Sequence, residues 1–200
     1  MLAQLLTGFF SGQTLIVAIG AQNTFVLRQG IRREHLLLIA LICSLSDALL
    51  ITLGVAGLGA LIERTPALLE VARYSGAAFL LAYGTLAAKR VWLGQSLVVE
   101  GKSPVPRLTA VMTCLCLTYL NPHVYLDTVL LLGALANQHG DAGRWVFGAG
   151  AILSSFAWFF ALSFGARHLS QLFRKPLAWR CLDGFIALIM WMQAISLIAG

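Results

Sequence analysis

The sequence predicts an all-α membrane protein of six transmembrane helices, from its composition, the spacing of its apolar runs and the placement of its charges. Hydrophobic residues make up 59% of the 200-residue chain and charged residues only 11%, too apolar a balance for a domain that folds in water. The apolar residues come in long runs, most of them near the ~20 residues that cross a bilayer core. Short connectors carry most of the charge, and none is long enough to hold a soluble domain, so residues 1–200 read as one polytopic transmembrane domain. The net charge of +6 does not indicate nucleic acid. Basic residues sit at the ends of apolar runs rather than on a hydrophilic face interleaved with aromatics.

The first run, Leu5 to Leu27, lacks a basic leader and stays apolar past the length of a secretory signal, so it reads as a retained span. Inside it, Gly20-Ala21-Gln22-Asn23 is polar where lipid forbids polarity. Gly20 offers backbone freedom for a break, and Gln22 and Asn23 offer amide donors and acceptors. The second span, Leu36 to Ile62, carries Asp47 near its middle, where a charged carboxylate costs at least ~3 kcal/mol. The third, Val71 to Ala88, is near the lower length limit and is followed by a connector with Pro104 and Pro106.

The fourth span, Leu108 to Ala136, contains Asn121-Pro122-His123-Val124-Tyr125-Leu126-Asp127. Pro122 removes a helix hydrogen bond and pushes Asn121 out of the α region, so a break is expected there. The half-helix beyond it would begin with free N–H groups and a positive dipole end, an arrangement that binds carboxylates. Asp127 follows Pro122 by five residues and could face the same cavity as Asp47. His123 could shuttle protons or simply hydrogen-bond beside the break. The fifth span, Trp145 to Ala166, holds Ser154 and Ser155; with Gly8, Gly12, Gly54, Gly57 and Gly59 these read as small residues for helix packing. The sixth span is Leu182 to Ala199. Cys43, Cys114, Cys116 and Cys181 lack metal or redox spacing and read as small buried residues; no metal or cofactor is expected.

Charge sets the direction. Arg28, Arg32 and Arg33, then Lys89, Arg90, Lys102 and Arg107, then Arg167, Arg174, Lys175 and Arg180 place 11 of the 14 basic residues on one side, against Arg64, Arg73 and Arg144 on the other. The crowded side is cytoplasmic and both termini face outward. Spans one and four share a polar midpoint, and Ser75-Gly76-Ala77 in span three parallels Asp183-Gly184-Phe185 in span six. Two three-helix halves of this kind would be inverted repeats, with broken helices in spans one and four.

The chain resembles the LysE-type family of L-lysine and L-arginine exporters along nearly its whole length. The matching blocks are IGAQNTFVLRQGIRREH, ICSLSDALLI, LTYLNPHVYLDTVLLLGALANQ and GRWVFGAGAILSSFAWFF, in that order. The resemblance implies a bacterial cytoplasmic-membrane protein that moves basic amino acids outward, with Asn23, Asp47, Asn121, Pro122 and Asp127 along the path. The family usually has proline before the Gln-Asn pair of span one; here Ala21 stands there, so that break rests on Gly20.

Two intramembrane aspartates and a helix N-terminus suit a solute with two ammonium-type charges and one carboxylate, such as arginine or lysine. Asp47 and Asp127 are then the cation partners, with hydrogen bonds from Gln22, Asn23 and Asn121. Proton exchange at Asp47, with His123 as a second candidate, would couple export to the proton-motive force. The alternatives are export of neutral amino acids or divalent cations, thiol redox chemistry at Cys114 and Cys116, and hydrolysis by His123 and Asp127. A homo-oligomer is left open.

Overall fold

The structure is a computed structural model and describes residues 1–17, 20–58, 66–93, 105–174 and 176–199. Gly59, the predicted end of span two at Ile62, and Arg64, Lys102, Pro104 and Lys175 lie outside them. Every regular element among the described residues is helical. In chain order these are α1 (Leu2–Ile16), α2 (Ala21–Arg32), α3 (Leu36–Val55), α4 (Pro66–Trp92), α5 (Arg107–Tyr119), α6 (Pro122–Asn137), α7 (Gly140–Ala166), a 3-10 turn at Arg167–Arg174, and α8 (Pro176–Ala199).

Three of these helical segments, Leu36–Val55, Gly140–Leu169 and Leu177–Ala199, are long and apolar enough to cross a membrane unaided. The pairs α1/α2 and α5/α6 qualify when each is taken as one span, bent by 84° and 61°, which gives up to five candidates. The predicted third span is longer than its hydropathy indicated: α4 runs 27 residues, from Pro66 to Trp92, because Glu70 at one end and Lys89 and Arg90 at the other continue the helix beyond its apolar middle. For the same reason α8 begins at Pro176 rather than Leu182. Hydropathy marks the lipid core, whereas a helix persists into the interface where charged side chains reach water. α3 ends at Val55, and Gly57 at φ 88° turns the chain after it in a conformation that suits glycine. Gly57 is therefore a turn residue and not a packing contact.

α1 lies against α7, α3 also packs on α7, and α4 packs on α8. The α1–α7 approach depends on glycine: a Cβ at Gly8 would overlap Phe147 O, and one at Gly150 would overlap Leu5 O. Such close crossings let van der Waals contact replace the hydrophobic drive that lipid does not supply. Large apolar side chains such as Phe10, Leu49, Leu153 and Ile195 are exposed on the outer faces, as a lipid-facing surface requires.

Polar residues instead turn inward. Asp183 is buried and receives Arg90 at 3.0 Å and Arg28 at 3.5 Å, joining α8 to α4 and α2. Arg28, expected at a span end beside the aqueous connector, is thus inside the bundle. The cysteines divide: Cys43 and Cys114 are buried with their sulfurs 3.2 Å apart, Cys116 is half-buried and Cys181 is exposed. Cys181 departs from the expected burial because the longer α8 places it on the outer face near the helix start.

Candidate functional site

A cavity of about 230 Å³ opens where both bent spans break. Gly20, Gln22, Asn23, Asp47, Asn121, His123 and Asp127 all line it, brought together from α2, α3 and α6. Of the residues singled out in the sequence, Pro122 alone is not on its wall; it is buried behind Asn121 and fixes the break.

The span-four break is built locally. Asn121 is extended at φ −98° and ψ 107°, its Oδ1 accepts the His123 N–H at 3.2 Å, and Pro122 takes the first helical position. This is a capped helix start, with proline where no N–H is needed. The Val124 N–H donates to Asn121 O and the Tyr125 N–H to Pro122 O. The first N–H groups of α6 are therefore satisfied, contrary to the free donors expected there, because the Asn-Pro pair caps its own helix. Tyr125 Oη also donates to Tyr119 O, at 2.8 Å across the break.

Beyond the cap, Tyr125–Leu131 is π-helical, with the Leu132 N–H reaching back to Asp127 O. The wider turn lets Val124, Asp127, Thr128 and Leu132 all share the cavity wall. His123 lies one α-turn before Asp127, on the same face.

The span-one break is held from a distance. Gly20 has φ −120° and ψ −178° and no side-chain cap. That extended conformation suits any residue, so glycine's special freedom is not what makes the break. The Ala21 N–H donates to Gln193 Oε1 on α8 at 3.1 Å, a bond that proline at this position could not make. Asn23 Nδ2 donates to Ile16 O at 2.7 Å, and Asn23 Oδ1 accepts from Trp158 Nε1 at 3.2 Å. Asn23 thus closes the last carbonyl before the break, as Tyr125 does in span four. Gln22 Nε2 is enclosed without a hydrogen-bond acceptor.

Asp47 is 5% exposed, and Ser155 Oγ donates to its Oδ2 at 2.8 Å. Asp127 is half-buried. No lysine or arginine lines the cavity, and among its lining residues His123 is the basic side chain that accompanies the two carboxylates. Ser155 and Ser154 are more than small packing residues, since Ser154 Oγ donates to Gln13 Oε1 at 2.9 Å. Sequence reading missed Ser155, Gln193, Trp158 and Thr128. An amide alone in an otherwise apolar span was the available signal for Gln193; nothing comparable marked Trp158. Cys114 faces Cys43 rather than Cys116, which leaves the proposed redox pair apart.

No solved structure matches this chain. A Mycobacterium tuberculosis protein, named only provisionally as an amino-acid transporter, is 51% identical over 177 residues, 88% of each chain. Arginine exporter protein ArgO of Yersinia enterocolitica is 42% identical across 98% of this chain and 97% of its own. Lysine exporter LysE of Corynebacterium diphtheriae is 37% identical across 96% and 97%. Residues 13–200 match the profile of the LysE type translocators. With four sequence blocks in order, two bent spans around an acidic cavity and a family match over nearly the whole length, the chain belongs to the LysE type translocator family.

Proposed function

We propose that the chain exports basic L-amino acids, arginine and lysine, through the cavity between its two broken spans. As a family member it is a multi-pass inner-membrane transporter and not an enzyme. The observation that carries the substrate class is the cavity wall: Asp47 and Asp127 with no lysine or arginine beside them. A carboxylate at bilayer depth is costly, and a substrate bearing two positive groups compensates the buried Asp47 and the half-buried Asp127. Relatives named for lysine and arginine export support the same class.

Asp47 and Asp127 serve as partners for the α-ammonium and the side-chain cation. The α-carboxylate falls to the start of α2, where Gln193 holds the Ala21 N–H but Gln22 Nε2 lacks an acceptor among the described residues, because the first turn of α6 is already capped. Asn121 adds a donor through Nδ2, while Asn23 holds the break. Six crossings follow if α4 also spans, with the two halves inverted and the basic connectors cytoplasmic.

Carrying one positive charge outward against an inside-negative potential costs about 2.3 kcal/mol per 100 mV. Exchange of a proton for the substrate's ammonium group at Asp47 removes that cost, because one-for-one antiport moves no net charge; His123 is the second candidate for the proton. Proteoliposomes loaded with labelled arginine, lysine or leucine test both points. Arginine and lysine should leave in response to a pH gradient, and leucine should stay. Equal leucine efflux would defeat the substrate assignment, and arginine efflux that follows the potential alone would defeat one-for-one exchange. A Lys102→Cys, Cys181→Ser variant should resist impermeant maleimide in intact cells, and labelling there would reverse the orientation.

A further inference from the structure

A second recess, of about 610 Å³, runs along the outer seam of α4 and α8, away from the transport cavity. Its α8 wall is a single stripe: Arg180, Gly184, Ala187, Leu188 and Trp191 follow the spacing of one helix face. Its floor is recessed because Ala88, Gly184 and Ala187 are small, and a Cβ added at Gly184 would meet nothing within 4 Å. Trp191 closes the far end, its ring so close over α4 that a Cβ on Gly84 would lie 2.8 Å from it. Trp92, 90% exposed, stands at the other end near Arg180.

The stripe has the length and polarity of one membrane leaflet. Arg180 and Trp191 are 11 residues apart, roughly 16 Å along a helix, against about 15 Å for half a hydrocarbon core. A cation and a tryptophan mark the headgroup end, where the aromatic belt lies, and the apolar groove continues toward the bilayer centre. The mouth also carries excess positive charge. Lys89 and Arg180 are exposed and make no ion pair among the described residues, and nearby Asp183 already holds both Arg28 and Arg90.

We infer that this groove binds one anionic glycerophospholipid of the cytoplasmic leaflet, its phosphate at Arg180 and one acyl chain along Gly184, Ala187 and Leu188. The charge at the mouth selects an anionic headgroup over a zwitterionic one, and the small-residue floor supplies chain contact. Lysine and arginine near a cytoplasmic membrane surface attract anionic lipid in this way. The inference rests on the inward placement of the α4–α8 connectors and not on the identity of the transported solute.

Native mass spectrometry of the full chain in mild detergent tests it, with phosphatidylglycerol and phosphatidylethanolamine of identical acyl chains as probes. The wild-type chain should retain one phosphatidylglycerol, in at least about fivefold preference over phosphatidylethanolamine. Arg180→Gln should erase most of that preference. Gly184→Leu, whose Cβ meets no protein atom within 4 Å, fills the floor and should lower retention of both lipids by about fivefold. Arginine efflux into liposomes containing both lipids reports that each variant is folded. Equal retention of the two lipids by the wild type, or phosphatidylglycerol retention unchanged in both variants, overturns the inference. So does a delipidated dimer that Gly184→Leu converts to monomer, since the groove would then belong to a second copy of the chain.

Discussion

The two broken spans reach the same cavity by different means. In span four the break is written into adjacent residues: Asn121 caps, Pro122 starts the helix, and Tyr125 returns to the carbonyl of Tyr119. In span one the described residues supply no such cap. Gly20 is merely extended, Asn23 returns to the carbonyl of Ile16, and Gln193 and Trp158 hold the bend from α8 and α7. A self-capped break keeps its shape while its neighbours move, whereas one held by distant side chains changes when they do. On that ground the shape of the span-four break depends on its own residues, and that of the span-one break depends also on α7 and α8.

The largest expected effect concerns the charges on which both breaks converge. Asp47→Asn should reduce arginine export by about 100-fold with the protein still in the membrane, since a buried charge-assisted contact is worth up to ~3 kcal/mol. Asp127→Asn, at a half-buried position, should cost about tenfold. Wild-type export by Asp47→Asn would remove the cation site altogether.

Stability separates the two breaks more directly. Asn23→Leu strands both Ile16 O and Trp158 Nε1 and should lower unfolding stability by about 2–4 kcal/mol, while Tyr125→Phe removes one bond and should cost about 1 kcal/mol. Thermal unfolding in detergent measures both, and equal losses would contradict the proposed asymmetry. Ser155→Ala removes the donor to Asp47 Oδ2. It should reduce arginine export by several-fold in the same transport assay, through loss of one hydrogen bond to a charged group. If export were unchanged, Ser155 would not be orienting the carboxylate.

The smallest effect is expected at Ala21→Pro. Gly20 already has the extended backbone that precedes proline, and Ala21 occupies the first helical position, where proline fits. Only the bond to Gln193 Oε1 is lost, at a cost of about 1 kcal/mol or less. A much larger loss would mean that the Gln193 contact carries the span-one break.

Much of this was legible along the chain because the forces involved are local or periodic. Hydropathy located the apolar core of every span, and Pro122 with Asn121 specified the span-four break within two residues. Asp47 and Asp127 stood out because lipid penalises charge wherever it lies. The partners were not legible, since hydrogen bonds such as Ser155 to Asp47 and Gln193 to Ala21 join residues 108 and 172 positions apart. Helix ends were also misplaced where Glu70, Lys89 and Arg90 extend α4 beyond its apolar run.

By itself, then, the sequence determined that the chain is an all-helical membrane protein and which residues resist lipid as a solvent. Those outcomes depend on transfer free energies summed over neighbouring residues. The tertiary structure alone decided that six of those polar residues share one cavity, that Asn23 and the first turn of α6 are already hydrogen-bonded, and that Arg28 turns inward to Asp183. A donor's partner is fixed by which helices pack together, and in lipid that packing is set by close glycine contacts and interhelical hydrogen bonds, which no single stretch of sequence contains.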